Sequence, residues 1–223
     1  MLIAVDGIDG SGKGTQTKLI YEYLISKGIK VDLISFPQYS SFFGNMVGEY
    51  LNGAYGTLEQ VNPKLAALLF AMDRKDFFDR TELTGHVILC DRYVPSNVGH
   101  QAGRVPREER EAFVAWLEEL EFGINRIPEP DLSILFDISV ENSARQVAKK
   151  QKRDYTDLTH DIHEQNKAYL SDVRDYFLAL GERDKYELVN IEDEAGQVLP
   201  IPVIFEKVKS LVDGLLDSGL KTQ

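Results

Sequence analysis

GIDGSGKGT, Gly7 to Thr15, follows directly on the apolar run Leu2-Ile3-Ala4-Val5, and that order decides the fold. A strand that ends in a glycine-rich turn and opens into a helix builds a phosphate cradle. The glycines let successive backbone N–H groups turn toward one point, the helix adds the positive end of its dipole, and Lys13 reaches between the β- and γ-phosphates of a nucleotide. Gly7, Ile8, Asp9, Gly10, Ser11, Gly12, Lys13, Gly14 and Thr15 are therefore the candidate triphosphate-binding residues, with the amphipathic run Thr17 to Leu24 as the helix behind them. One position departs from the usual Gly-Lys-Ser/Thr ending: Gly14 stands where a metal-binding hydroxyl is common, and Thr15 follows one place later.

Working outward, Val31 to Phe36, Val87 to Cys90, Leu132 to Phe136 and Glu187 to Ile191 read as further short strands. Helical patterns lie between them: Lys13 to Ser26, stopped at Lys27-Gly28; a helix opened by Pro63 and running to about Leu83; Glu108 to Leu120; and Val140 to Lys150. Nearly continuous apolar strands separated by helices imply a parallel sheet covered on both faces, here a five-stranded doubly wound α/β sheet. Ligands of such sheets sit beyond the carboxyl ends of the strands. The Gly7 turn, the Phe36-Pro37 bend and the triplet Asp91-Arg92-Tyr93 all fall there.

At 223 residues the chain suits one α/β domain, 1–223. A formal net charge of -11 sets the surface against nucleic acid and anionic membrane, so polyphosphate must be held by local positive features. The single cysteine, Cys90, lies in an apolar strand and reads as core rather than nucleophile. There is no apolar span of 18 or more residues and no room before the first strand for a leader, so the expectation is a soluble, cytoplasmic protein. The one dense basic cluster, Lys149-Lys150-Gln151-Lys152-Arg153-Asp154-Tyr155, reads by default as a solvated helix end.

Taken in order, the phosphate loop, Phe36-Pro37, Leu69-Phe70-Ala71-Met72-Asp73-Arg74, Asp91-Arg92-Tyr93 with Ser96-Asn97, the Pro130-Asp131-Leu132 strand start and the basic cluster resemble the thymidylate kinase family over nearly the whole chain. The Gly-Lys-Gly-Thr loop ending is itself similar to that of adenylate kinases. The resemblance implies a P-loop three-layer sandwich with a short basic lid at about 149–157. The implied reaction is phosphorylation of thymidine 5′-monophosphate by ATP with Mg²⁺ in dTTP synthesis.

Residue by residue, the resemblance implies that Asp9 contacts the sugar 3′-hydroxyl or organises the metal, with Asp91 as a second candidate metal ligand, and that Arg92 grips the acceptor phosphate. An ion pair of Arg92 with Asp91 or a neighbour is the alternative on the residues alone. Lys13, Asp9, Arg92 and Arg153 form the expected catalytic set. Phe70 and Arg74, four apart on one helix and so on one face, stack on the thymine and bond its carbonyl edge. Phe36 closes the pocket, Asn97 reads the base, and Ser96 lies against the nucleoside. Without the family, Phe70 reads as core.

Tyr39 stands where some members carry arginine, and His100 where an aromatic residue that tells deoxyribose from ribose is common. Gly10 supplies no loop arginine, which leaves that charge to Lys149, Lys150, Lys152 and Arg153 of the lid, with Tyr155 covering the acceptor. The apolar residues Leu65, Leu68, Leu69, Met72, Phe77 and Phe78 exceed one core-facing stripe. They suit either a homodimer interface or packing under a helix at Phe42 to Leu51.

Three other readings share the loop. A regulatory GTPase needs Asn/Thr-Lys-Xaa-Asp, and neither Thr17-Lys18 nor Asn166-Lys167 continues to that aspartate. A nucleoside kinase wants a carboxylate base aimed at a 5′-hydroxyl and has less use for Arg92. A binding module without catalysis forms no ADP with any acceptor.

Overall fold

The computed structural model describes residues 1–149 and 167–220. Its centre is a five-stranded sheet in the order β2-β3-β1-β4-β5, formed by β1 (Leu2–Gly7), β2 (Val31–Ser35), β3 (Val87–Asp91), β4 (Leu132–Asp137) and β5 (Tyr186–Asn190). Every pairing is parallel. β1 and β4 are buried along their whole length, which is why they read as continuous apolar runs. The outer strands β2 and β5 each bury only one residue fully, Ile34 and Val189.

The connection leaving β1 through α1 (Lys13–Ser26) runs outward to β2, whereas the one leaving β3 crosses β1 to reach β4. Right-handed crossovers in opposite directions put their helices on opposite faces and leave a crevice between the ends of β1 and β3. On one side α1 packs with α8 (Ile201–Leu220); on the other, α4 (Val94–Ala102) packs with α3 (Pro63–Arg80), α5 (Arg110–Glu118) and α7 (Lys167–Leu180). The core between them includes Ile3, Val5, Ile20, Leu89, Leu117, Ile134, Val173 and Val208, all essentially fully buried. Each such side chain contributes about 1.5–3 kcal/mol through burial.

The strands match the sequence expectation to within one or two residues at each end, and three helices differ from it. α3 stops at Arg80, where Thr81 turns extended. The segment read as Glu108 to Leu120 is a 3₁₀ turn at Arg107–Glu109, then α5, then a π-helical turn at Glu119–Ile124. α6 (Val140–Ala148) ends just before Lys149. The helices α4, α7 and α8 were not anticipated from the sequence. α4 is buried at every position and so has no polar face to give a period.

α2 (Phe42–Leu51) is capped by Ser41 and packs on α3. Between them lies a second, smaller apolar cluster of Val47, Tyr50, Leu51, Val61 and Ala66, joined by Tyr39, Leu69 and Phe70. Part of the apolar excess on α3 is absorbed there, and Phe77 and Phe78 pack on the main core. Leu65 and Phe42 remain exposed. Asp73 of α3 ties the Phe36–Ser41 segment down: its Oδ2 accepts from the Gln38 N–H at 2.9 Å and its Oδ1 from the Ser41 hydroxyl at 3.1 Å. Burial pushes this carboxyl up, more than those hydrogen bonds lower it.

Replacing Asp73 by Ala strands the Gln38 N–H, an unmet buried donor that costs about 1–3 kcal/mol. The expected result is a lower urea midpoint at unchanged m-value; a midpoint equal to wild type would show that the Gln38 contact contributes nothing.

Candidate active site

A cavity of about 230 Å³ opens at the crevice between the β1 and β3 ends. It is lined by Asp9, Lys13 and Gly14 of the first loop, Phe36 and Tyr39 after β2, Phe70 and Arg74 of α3, Asp91 and Arg92 at the end of β3, and Ser96, Asn97 and His100 of α4. Residues read separately along the chain are thus gathered around one space. Gly7, Ile8, Gly10, Ser11, Gly12 and Thr15 belong to the loop without lining the cavity, and Lys149 is exposed at the end of α6. Lys150, Lys152, Arg153 and Tyr155 lie outside the described residues.

The loop is shaped for anions by its backbone. Gly12 precedes α1 in the left-handed region (φ 81°) and offers no side-chain cap, so the first N–H groups of the helix are left for a ligand. Gly10 (φ 79°) is pressed against α6: a Cβ there would sit 2.5 Å from the Ser143 carbonyl oxygen. Ser143 also donates its hydroxyl to the Asp9 carbonyl at 2.6 Å. Position 10 therefore has no room for an arginine.

Lys13 donates to the Ile8 carbonyl at 3.3 Å and to Asp9 Oδ1 at 3.2 Å. Arg92 Nη2 donates to the same Asp9 oxygen, and its Nη1 to Ser96 Oγ at 3.3 Å. Arg92 thus forms an ion pair with Asp9. One carboxylate oxygen thus gathers two cations at one end of the cavity.

Arg92 holds φ 68°, an unusual conformation for a residue with a side chain. Asp6, which the sequence reading passed over, keeps the turn in place. Its Oδ1 accepts from the Tyr93 and Ser96 N–H groups, each at 3.0 Å. Its Oδ2 is buried without a hydrogen-bond partner among the described residues. Burial pushes the Asp6 carboxyl up, against the lowering effect of Ser96, Tyr93 and Arg92. A lone carboxylate in the apolar run LIAVDG was the available signal.

At the other end, Phe70 meets Tyr50 edge-on with ring centroids 6.1 Å apart, so it is both cavity wall and part of the smaller cluster. Phe36 is buried against Phe77 at 5.4 Å. Arg74 is buried and paired with Glu121; burial would lower this guanidinium, but the charge of Glu121 outweighs it and the net direction is up. Asn97 donates Nδ2 to the Ala67 carbonyl at 3.0 Å and to Glu121 Oε1 at 3.2 Å. Glu121 comes from the π-helical turn; the sequence reading missed it inside an acidic run, although its place four residues after Leu117 on the buried face of α5 was the available signal. The Tyr169 hydroxyl donates to the His100 carbonyl at 3.0 Å and so accepts from the His100 ring Nδ1 at 2.9 Å. The thiol of Cys90 is buried and pushed far up by that burial, as a core residue should be.

The fit to a divalent cation turns on Gly14. A Cβ there would lie 3.2 Å from Asp91 Oδ2, so a carboxylate oxygen stands beside the backbone where a hydroxyl is otherwise common. Asp91 and Asp9 are hard oxygen donors on one cavity. The described residues contain no group of three or more His, Cys, Asp or Glu able to hold an ion. Phosphate oxygens and water would complete the shell, which is how Mg²⁺ is ordinarily held. Among the described residues no helix is long and apolar enough to cross a membrane.

Comparison with known proteins decides the family. The sequence profile described as Thymidylate kinase matches residues 5–199. The chain belongs to the thymidylate kinase family. It is an enzyme, a kinase, and phosphorylation of thymidylate by ATP is the reaction of that family. The thymidylate kinase of Mycobacterium tuberculosis is 31% identical over 158 residues, 69% of this chain and 73% of that protein. That of Thermosipho melanesiensis is 28% identical over 222 residues, covering 97% and 100%. The solved thymidylate kinase of Candida albicans shares the fold, with a TM-score of 0.70 at 20% identity over 96% of this chain and 91% of that one.

The Asp6 carboxyl yields a pH test. Because its folded pKa is raised above the ordinary 3.8, its stabilising contribution is complete below that value and is lost as pH rises through the folded value. Asp6→Asn keeps an acceptor oxygen for the two N–H groups and removes this loss. The variant's melting temperature should gain on wild type as pH rises from below 3.8. A difference that stays constant with pH would mean that Asp6 is not buried as a charge.

Proposed function

We infer that this cavity is where the chain binds thymidine 5′-monophosphate and phosphorylates it to the diphosphate, with ATP entering from the loop and helix α1. The observation that carries the reading is the pairing of chemistries along one cavity. Lys13 and Arg92 gather at the loop end, while Arg74 and Asn97 stand with Phe70 at the other. Asn97 Oδ1 is a buried acceptor with no protein partner among the described residues, which suits the ring N–H of thymine. Arg74 brings further donors, which suit the neighbouring carbonyl. Cytosine presents the opposite pattern at both positions.

Phosphoryl transfer asks mainly for in-line placement and for stabilisation of charge spread over the phosphoryl oxygens. Lys13 takes the donor side and Arg92 the acceptor phosphate, exchanging their hold on Asp9 for phosphate oxygens. Asp9, released by both, is then available to the sugar hydroxyl or to the metal. Asp91 and Asp9 are the residues to hold Mg²⁺, which when bound neutralises charge between the phosphates. His100 and Ser96 border the sugar, and Tyr39 the acceptor phosphate.

Since a Cβ at position 10 would meet the Ser143 carbonyl, we assign the remaining positive charge to the basic cluster of Lys149, Lys150, Lys152 and Arg153, with Tyr155 as a further candidate acceptor contact. Neutralising Lys152 and Arg153 together should lower kcat more than it raises the acceptor KM; an unchanged kcat would return the cluster to a solvated turn. The exposed Phe42 (71%) and Leu65 (59%) on neighbouring helices support a homodimer through the α2 and α3 face, which sedimentation of wild type against Phe42→Glu reads directly.

Lys13→Ala should lose about 10²-fold or more in turnover with the fold intact. In an acceptor panel, thymidylate should lead. Deoxyuridylate should fall about 10- to 200-fold for the missing methyl, and deoxycytidylate up to about 10⁴-fold for unmatched polar groups. Higher kcat/KM on AMP or CMP than on thymidylate, or activity on thymidine itself, would overturn the assignment.

A further inference from the structure

Glu121 does not line the cavity, and no step above uses it, yet it is completely buried. Its contacts are the two polar residues at the base end. Arg74 donates Nε to Oε2 at 3.3 Å and Nη2 to Oε1, and Asn97 donates Nδ2 to that same Oε1 at 3.2 Å. A side-chain amide has two orientations that exchange donor for acceptor. Facing a carboxylate oxygen on one side and the Ala67 carbonyl at 3.0 Å on the other, only the Nδ2 end of Asn97 is matched. Oδ1 must then point elsewhere, and it is the atom left buried without a protein partner among the described residues.

We propose that Glu121 is a specificity-determining positioning residue. By accepting from both Arg74 and Asn97 it fixes one donor and one acceptor in the orientation that matches a pyrimidine with a ring N–H beside a carbonyl, and opposes one with a bare ring nitrogen beside an amine. The proposal rests on the reading of this cavity as the thymidylate site. An ionised carboxylate can only accept, so it enforces the orientation of Asn97. A glutamine amide can also donate to Asn97 Oδ1, which lets Asn97 turn and present Nδ2 to the ring.

The test is kcat/KM of the full chain for dTMP and for dCMP, in wild type, Glu121→Gln and Glu121→Asp, each checked by thermal melting. Glu121→Gln should lower the dTMP to dCMP ratio by about 10- to 100-fold, the range that one lost bidentate contact is worth in base discrimination. Activity on dCMP should rise in absolute terms. Glu121→Asp keeps a counter-charge for Arg74 but draws back the shared oxygen, so its ratio should fall in the same direction by less. It decides the matter if the glutamine variant does not fold. A purely structural Glu121 would lower stability and both activities together, so an unchanged ratio in a folded variant overturns the proposal. A wild type that does not prefer dTMP would instead overturn the reading of the cavity, and that outcome appears in the wild-type arm alone.

Discussion

The buried carboxylate of Asp6 is the contact on which the loop end of the cavity depends. It sits on the central strand, one residue before the loop, and grips the two N–H groups that begin the turn after β3. Hydrogen bonds to a charged group contribute about 1.5–3 kcal/mol each, and burying the charge costs several kcal/mol in return. Burial outweighs the hydrogen bonds, since the carboxyl is pushed up, so the charge serves geometry rather than net stability. Through it the strained Arg92 and the loop carrying Lys13 are held by neighbouring strands of one sheet, so their spacing follows from β-sheet geometry instead of loop conformation.

The end of the cavity at Phe70 and Arg74 is organised from α3 in a different way. Asp73 and Arg74 are successive residues, about 100° apart around the helix. Asp73 therefore reaches the Phe36–Ser41 segment while Arg74 reaches the cavity and Glu121. One turn of helix closes the cavity wall and supplies a donor inside it. A π-helical turn at Glu119–Ile124 brings the balancing carboxylate to the far side. This end is thus rigid through a buried ion pair, which contributes more to orientation than to stability.

Much of this was legible in the sequence because the relevant signals are local. Short apolar runs ending in Gly7, Phe36-Pro37 and Asp91-Arg92 gave the five parallel strands and the crevice between two of them. Phe70 and Arg74 announced a shared helix face by their spacing. α4 could not be read, since Val94–Ala102 is buried all round and carries Pro95 and Gly99. α7 and α8 do carry a readable period: Leu170, Val173 and Phe177 in one, and Ile204, Val208, Val212 and Leu216 in the other, are all buried. Glu121 did carry a signal that went unread: it falls four residues after Leu117 and seven after Val114, on the buried face of α5. A carboxylate on an apolar stripe asks for a buried partner, but beside Glu118 and Glu119 it looks like part of a solvated face.

A chain of net charge -11 that handles two polyanions looks self-defeating, but distance resolves the conflict. Surface charges further than about 8 Å away are screened at physiological ionic strength. A cation about 4 Å from a phosphate oxygen interacts with it by about 4 kcal/mol at the effective dielectric of a partly buried site. Lys13, Arg92 and the uncapped start of α1 border one cavity within that shorter range, and Asp9 pairs with both side chains. The acidic surface therefore adds little to the field inside the cavity, where the nearby cations Lys13, Arg92 and Arg74 dominate.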